Sequence, residues 1–138
     1  MAYSTFSKIA FKSFDYSRTK LPKTSASVLI FMERHSQTCA QMSEIENKSG
    51  FIKSTLTAAT DVLVKAGYVK RFRTDKDRRA VFIELTERGR EKALEIEKAM
   101  RNYVNEKLSV LSDEQFEKLL GAFSTIKETV DILQNFEK

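Results

Sequence analysis

The sequence predicts a mainly α chain with one small β-hairpin, an α+β class, and three observations lead there. Apolar residues recur at helical spacing over most of the chain. Two short runs, Tyr68-Val69-Lys70-Arg71-Phe72-Arg73 and Ala80-Val81-Phe82-Ile83-Glu84-Leu85, are rich in branched and aromatic residues and flank a polar loop. From Thr86 onward the helical spacing returns and holds to the end.

Taken in order, Phe6, Ile9, Ala10 and Phe14 place a first amphipathic helix from Phe6 to about Tyr16. Leu21-Pro22 interrupts it. Thr24 or Ser25 then caps a second helix that buries Val28, Leu29, Met32 and Phe31 and ends near His35. Thr38 to Gln41 is a short, extended connector, and a short helix from Met42 to Lys48 turns Ile45 inward. Gly50 tolerates a positive φ and so lets the chain reverse, with Phe51 plugging the junction. The next helix, about Lys53 to Ala66, places Leu56, Ala59, Thr60 and Leu63 on one face. Its opposite face, with Ser54, Thr55, Thr57, Ala58 and Asp61, lacks bulk, and Gly67 stops it.

The loop Thr74-Asp75-Lys76-Asp77-Arg78-Arg79 has the composition of a hairpin tip projecting into solvent. A long helix follows to about Val110. Ser112 and Gln115 then stand at capping-box spacing, in which hydroxyl and amide satisfy orphan backbone donors at a new helix start. The last helix repeats Phe116, Leu119, Phe123, Ile126, Val130 and Leu133 at three-four spacing. Such a seam packs on another helix, either that of a second subunit or the preceding helix of the same chain.

The 138 residues suit one domain, and no apolar run reaches the ~18 residues of a membrane span. The amino terminus lacks a basic start followed by an apolar stretch, so the expectation is a cytoplasmic chain without secretory signal or membrane partner. One cysteine, Cys39, excludes an internal disulfide. One histidine, His35, excludes a His-based metal cluster within one chain. Cys39 reads as a packing residue, with redox sensing as the alternative, and His35 as a surface or helix-end residue. The residue sets that catalysis requires are not assembled, and no cofactor or metal is expected. Charge is divided: +4 over residues 1–24, +4 over 25–83 and −3 over 84–138, from five, ten and nine Lys/Arg against one, six and twelve acids. A basic part joined to an acidic helical end fits one surface facing a polyanion, a merely solvated basic surface being the alternative.

The stretch from Met42-Ser43-Glu44-Ile45-Glu46 through Gly50 and Phe51, then Lys53-Ser54-Thr55-Leu56 to Lys65-Ala66-Gly67-Tyr68-Val69, resembles the helix-turn-helix of the MarR family. Asp75-Lys76-Asp77-Arg78-Arg79-Ala80-Val81, followed by Leu85-Thr86-Glu87-Arg88-Gly89, is similar to that family's wing and its run into a long dimerisation helix. The resemblance covers about residues 20 to 135. Its order of Gly67, Asp-Arg-Arg cluster and Leu-Thr-Glu-Arg-Gly is the most specific part. It implies a winged helix-turn-helix with N- and C-terminal dimerisation helices: a DNA-binding lobe at about 25–86 and dimerisation helices at about 5–18 and 87–136. It further implies a homodimeric regulator, a repressor in mode, on a pseudo-palindromic operator in double-stranded DNA, with half-sites about one helical turn apart. The alternative from another class is a sequence-indifferent architectural DNA binder or a protein-interaction winged helix.

Under that resemblance, Lys53, Ser54 and Thr55 begin the recognition helix, where the helix dipole and short hydroxyls favour a phosphate. Thr57, Ala58 and Asp61 lie one or two turns further in. There methyl groups suit a thymine methyl and the carboxylate suits a cytosine amine, an ordinary solvated face being the alternative for each. Arg78 is the candidate for the minor groove, with Lys76 and Arg73 on phosphates. Asp77 braces Arg79 or another basic group, and Arg78 and Arg79 are open to exchange of roles. Dimerisation falls to Phe6, Ile9, Phe123, Ile126, Val130 and Leu133. Two positions depart from the family pattern: Ile52, where Ser or Thr is usual, removes a helix cap, and Ala58 replaces a longer polar side chain. Many relatives take a small phenolic or lipophilic effector between dimer helices and DNA-binding lobe. Phe11, Phe14, Tyr16, Phe31 and Tyr103 either line such a space or are core.

Overall fold

In the computed structural model of the chain, residues 14–35, 39–74 and 79–136 are described. The first expected helix lies almost wholly outside them, as do Phe6, Ile9 and Phe11, and so do Lys76, Asp77 and Arg78 of the loop expected as a hairpin tip. A 3-10 turn, Tyr16–Thr19, leads into five helices and three strands: α1 (Lys23–Arg34), β1 (Cys39–Gln41), α2 (Met42–Ser49), α3 (Lys53–Lys65), β2 (Val69–Phe72), β3 (Phe82–Leu85), α4 (Glu87–Leu108) and α5 (Asp113–Phe136).

Helix α1 starts before the expected caps. Pro22 occupies the cap position with extended backbone, while Ser25 is buried inside the helix and donates its hydroxyl to the Ala59 carbonyl of α3 at 3.3 Å. A proline with no N–H to satisfy suits the position ahead of a helix, which releases Ser25 to tie two helices together. The buried stripe is as read, with Val28, Leu29 and Met32 inaccessible, but Phe31 is only half-buried and stacks on His35 with ring centroids 4.1 Å apart. His35 caps the end of α1, its Nδ1 lying 2.9 Å from the Phe31 carbonyl oxygen.

The turn between α2 and α3 follows from three residues. Gly50 takes φ +71° and donates its N–H to Glu46, a left-handed helix end that side-chain-bearing residues rarely adopt. Phe51 packs against the core, with Ile45 of α2 and Leu56 and Leu63 of α3 fully buried around the same cluster. At its own start α2 is closed by a capping box of Gln41 and Glu44, which the sequence reading did not identify.

The sheet has order β1-β3-β2, antiparallel throughout, with Ala40 opposite Ile83 and Arg71 opposite Ile83 on the other side. Alternation then puts Val69, Ile83, Leu85 and Ala40 against the helices, and Phe72 and Phe82 stack on the outer face at 5.8 Å. The strands are shorter than the expected 68–73 and 80–85, because pairing lapses toward the loop. Helix α1 is the hub, packing on both α3 and α4, and ion pairs Arg34–Glu97 and Arg90–Glu33 pin its end to α4.

Helices α4 and α5 are separate, as the capping box predicts: the Ser112 N–H donates to Gln115 Oε1 and the Gln115 N–H to Ser112 Oγ. Helix α5 is absent from the most extensively packed pairs of described helices and strands. Phe116, Ile126, Val130 and Leu133 stand 37 to 60% exposed, with Leu119 and Phe123 half-buried between them. Among the described residues, no helix is long and apolar enough to cross a membrane.

Candidate nucleic-acid interface

Helix α3 stands with one face in the core and the other in solvent. Leu56, Ala59, Thr60 and Leu63 are buried, while Lys53, Ser54, Thr57, Ala58 and Asp61 are exposed and Thr55 is half-buried. The outward face therefore presents the Lys53 ammonium at its start and then hydroxyls, methyls and one carboxylate, with no aromatic or large aliphatic side chain among these residues. Its first turn has no side-chain cap. Ile52 sits at the cap position with φ −69° and ψ 140°, 72% exposed, so the loss of a capping hydroxyl expected from the sequence is found. Thr57 instead turns its hydroxyl back to the Lys53 carbonyl at 2.9 Å, leaving its methyl outward.

Two grooves flank this face. The first, of about 360 Å³, runs between α3 and the base of the hairpin and is lined by Lys53, Thr57, Arg71, Arg73 and Arg79, with Glu46 and Ser43 at its α2 side. The second, of about 440 Å³, lies between α3 and the start of α1 and takes Ser54, Thr55 and Ala58 with Thr24 and Val62. The fold thus brings Lys53 and Thr57 together with Arg73 and Arg79, residues 16 to 26 positions further along the chain. It sends Ser54, Thr55 and Ala58 to the other side.

Sequence reading missed Arg71, which lines the first groove and bonds through Nη2 to Asp61 Oδ1 at 2.5 Å. The signal was present: alternation along β2 puts Arg71 on the same side as Val69, facing the helices, where a cation needs a partner. The segment Leu85 to Gly89 is structural. Thr86 caps α4, its hydroxyl accepting from the Gly89 N–H at 3.0 Å and sharing its own hydrogen between the Gly67 and Tyr68 carbonyls. Arg88 lies over the Tyr68 ring at 5.2 Å. The junction locks the end of the hairpin to the long helix.

A separate cavity of about 570 Å³ opens between residues 14–19 and α4. Phe14 and Tyr103 line it and meet edge-to-face at 5.5 Å, Tyr16 abuts Phe14 at 4.9 Å, and Phe31 does not reach it. The Tyr103 hydroxyl is buried there with no hydrogen-bond partner among the described residues. Burial pushes the Tyr16 phenol above its ordinary pKa. Cys39 is exposed on β1, contrary to the packing role expected of it, and its thiol is raised by partial burial and by the carboxylates of Glu84 and Glu44.

The comparisons agree with this geometry. The family described as transcriptional regulator SarA/Rot matches residues 10–96. The HTH-type transcriptional regulator PapX of Escherichia coli is 36% identical over 106 residues, which cover 72% of this chain and 65% of that protein; the chain thus spans less than two thirds of its length. Among solved structures, the transcriptional regulator BldR from Sulfolobus solfataricus superposes with TM-score 0.68 at 32% identity, over 93% of each chain. MarR superposes with TM-score 0.78 at 15% identity, over 94% of this chain and 98% of that one, a likeness of fold. The helix-turn-helix of α2 and α3, the β2–β3 wing and the family match lead to one conclusion: this chain belongs to the SarA/Rot family of transcriptional regulators, DNA-binding winged-helix proteins of the MarR type.

Proposed function

We propose that the chain is a sequence-specific binder of double-stranded DNA that acts in the cytoplasm as a homodimeric repressor on a pseudo-palindromic operator, as one domain spanning residues 1–138. The observation that carries this reading is the unencumbered face of α3 between two grooves, one of them lined by Lys53, Arg71, Arg73 and Arg79. A helix without bulk can enter a major groove closely, and the flanking cations meet the phosphates that border it. In this reading Lys53, Ser54 and Thr55 position the helix on phosphates, Thr57 and Ala58 face base edges with Asp61 beside them on the same face, and Arg73 and Lys76 hold the backbone. Arg78 enters the minor groove while Asp77 braces Arg79. With Ile52 uncapped and Ala58 short, few side chains reach bases, so DNA shape carries much of the discrimination.

The α5 seam, with Ile126, Val130 and Leu133 exposed and Phe123 half-buried, supports dimerisation, with Phe6 and Ile9 assigned to the same interface from the other chain end. A second reading concerns regulation: the Phe14–Tyr103 cavity and its unpartnered phenol favour a small phenolic or lipophilic effector. Selection of bound duplexes from a random pool tests the main reading. A palindromic site preferred over random duplex by roughly 10³-fold or more is expected. Steep salt dependence without preference would indicate the architectural binder instead.

A further inference from the structure

Asp61 lies four residues after Thr57 and three after Ala58, so it shares their outward face, and its side chain is 58% exposed. An exposed carboxylate on a surface that meets a polyanion is repelled unless a cation holds it. Here the Arg71 guanidinium, which reaches from β2 and lines the groove, does so through the 2.5 Å contact of its Nη2 with Asp61 Oδ1. Arginine carries five N–H donors in a planar fork, and this contact occupies one of them.

We propose that Asp61 acts through Arg71 and reads no base itself: it is a positioning residue that holds the guanidinium at the groove between α3 and the wing, where Arg71 grips the phosphate strand. The proposal rests on the DNA-binding reading. A recognition helix in the major groove and a wing in the adjacent minor groove must straddle one phosphate strand. The groove lined by Lys53, Arg71, Arg73 and Arg79 is the place between those two elements where that strand runs. Asp61 has two effects there. It fixes the direction of the fork, and without Arg71 it becomes a repulsive charge facing phosphate. The pair therefore links the angle of the wing to the seat of the helix, so a backbone path that fits one fits the other.

The test is a double-mutant cycle of Arg71→Ala, Asp61→Asn and both together, with affinity measured across a salt series for the duplex selected by the wild type and for random duplex. Thermal melting of each variant checks folding, and Arg71→Lys supplies a variant that keeps the charge but loses the fork. Arg71→Ala is expected to weaken cognate binding about tenfold or more and to reduce the slope of log affinity against log salt by about one. Asp61→Asn alone should weaken cognate binding while leaving or improving random binding; in the Arg71→Ala background it should improve both. That reversal of sign is the signature, because a merely structural pair would not move the salt slope. Arg71→Lys should keep the slope and lose part of the cognate preference. Additive effects, an unchanged slope, or loss of discrimination confined to one cytosine position would overturn the proposal. Binding of no duplex by the wild type would instead bring down the regulator reading and this inference together.

Discussion

The Tyr68 carbonyl and Gly89 are in such close approach that a Cβ added to Gly89 would stand 2.0 Å from the Tyr68 oxygen, and 3.0 Å from a Leu85 methyl. Helix α4 therefore enters against the end of the hairpin with its first turn pressed on backbone. Gly89→Ala forces that backbone apart, and the expected cost is about 2–4 kcal/mol, above the common range for one extra methyl in a core. Urea denaturation of the two proteins measures it. A loss below about 0.5 kcal/mol would mean the junction yields freely.

Ile52 is an exposed residue in a cap position whose backbone already has the extended conformation that a capping residue adopts. Ile52→Ser should stabilise the protein by about 0.5–1 kcal/mol, since a hydroxyl gains an orphan N–H of α3 while little buried apolar surface is lost. On the DNA-binding reading, affinity for duplex should also rise. A melting temperature equal to or below that of the wild type would refute the capping argument.

Cys39 titrates above an ordinary thiol because of partial burial first, then Glu84 and Glu44. At about pH 8 its thiolate fraction, and so its rate of alkylation, should be lower than in the urea-unfolded chain. The rate should climb as pH passes the raised value, and Glu84→Gln should accelerate it. The sign for stability follows: the folded state favours the neutral thiol, so its contribution is full below the unfolded pKa and is lost as pH rises through the folded one. Alkylation faster than in the unfolded chain would contradict this account.

The apolar positions of α5 give a fourth expectation. Placing a carboxylate at Ile126 or Val130, both about 40% exposed on the single chain, costs little if the helix is solvated and much if a second copy covers it. Ile126→Glu should convert a dimer to monomer in sedimentation velocity. A wild type that sediments as a monomer at micromolar concentration would remove the homodimer from the proposal.

The helices were legible in the sequence because burial and spacing coincide: Val28, Leu29, Met32, Leu56, Leu63 and Ile96 fall inside where periodicity puts them. Glycine conformations were legible too, with Gly50 and Gly67 both at positive φ. What escaped was long-range. Ser25 bonds a helix 34 residues on, and Arg71 meets Asp61 across a turn; neither local spacing nor composition encodes such partners. The family-like run Leu85-Thr86-Glu87-Arg88-Gly89 was legible as a marker, but its reason was not, because it depends on the carbonyl of Tyr68 arriving from another element.

Strand β3 lies between β1 and β2, and the Met42 N–H at the start of α2 donates to the Val81 carbonyl at 2.9 Å. The chain from Ala40 to Ile83 is therefore a closed ring, sealed by hydrogen bonds, with α2, the Gly50 turn and α3 all strung within it. A helix inside such a ring cannot fray away on its own without opening the seal or losing its core. Its amides and those of β3 should then exchange with solvent as one cooperative unit, while α5, outside the ring, exchanges on its own schedule.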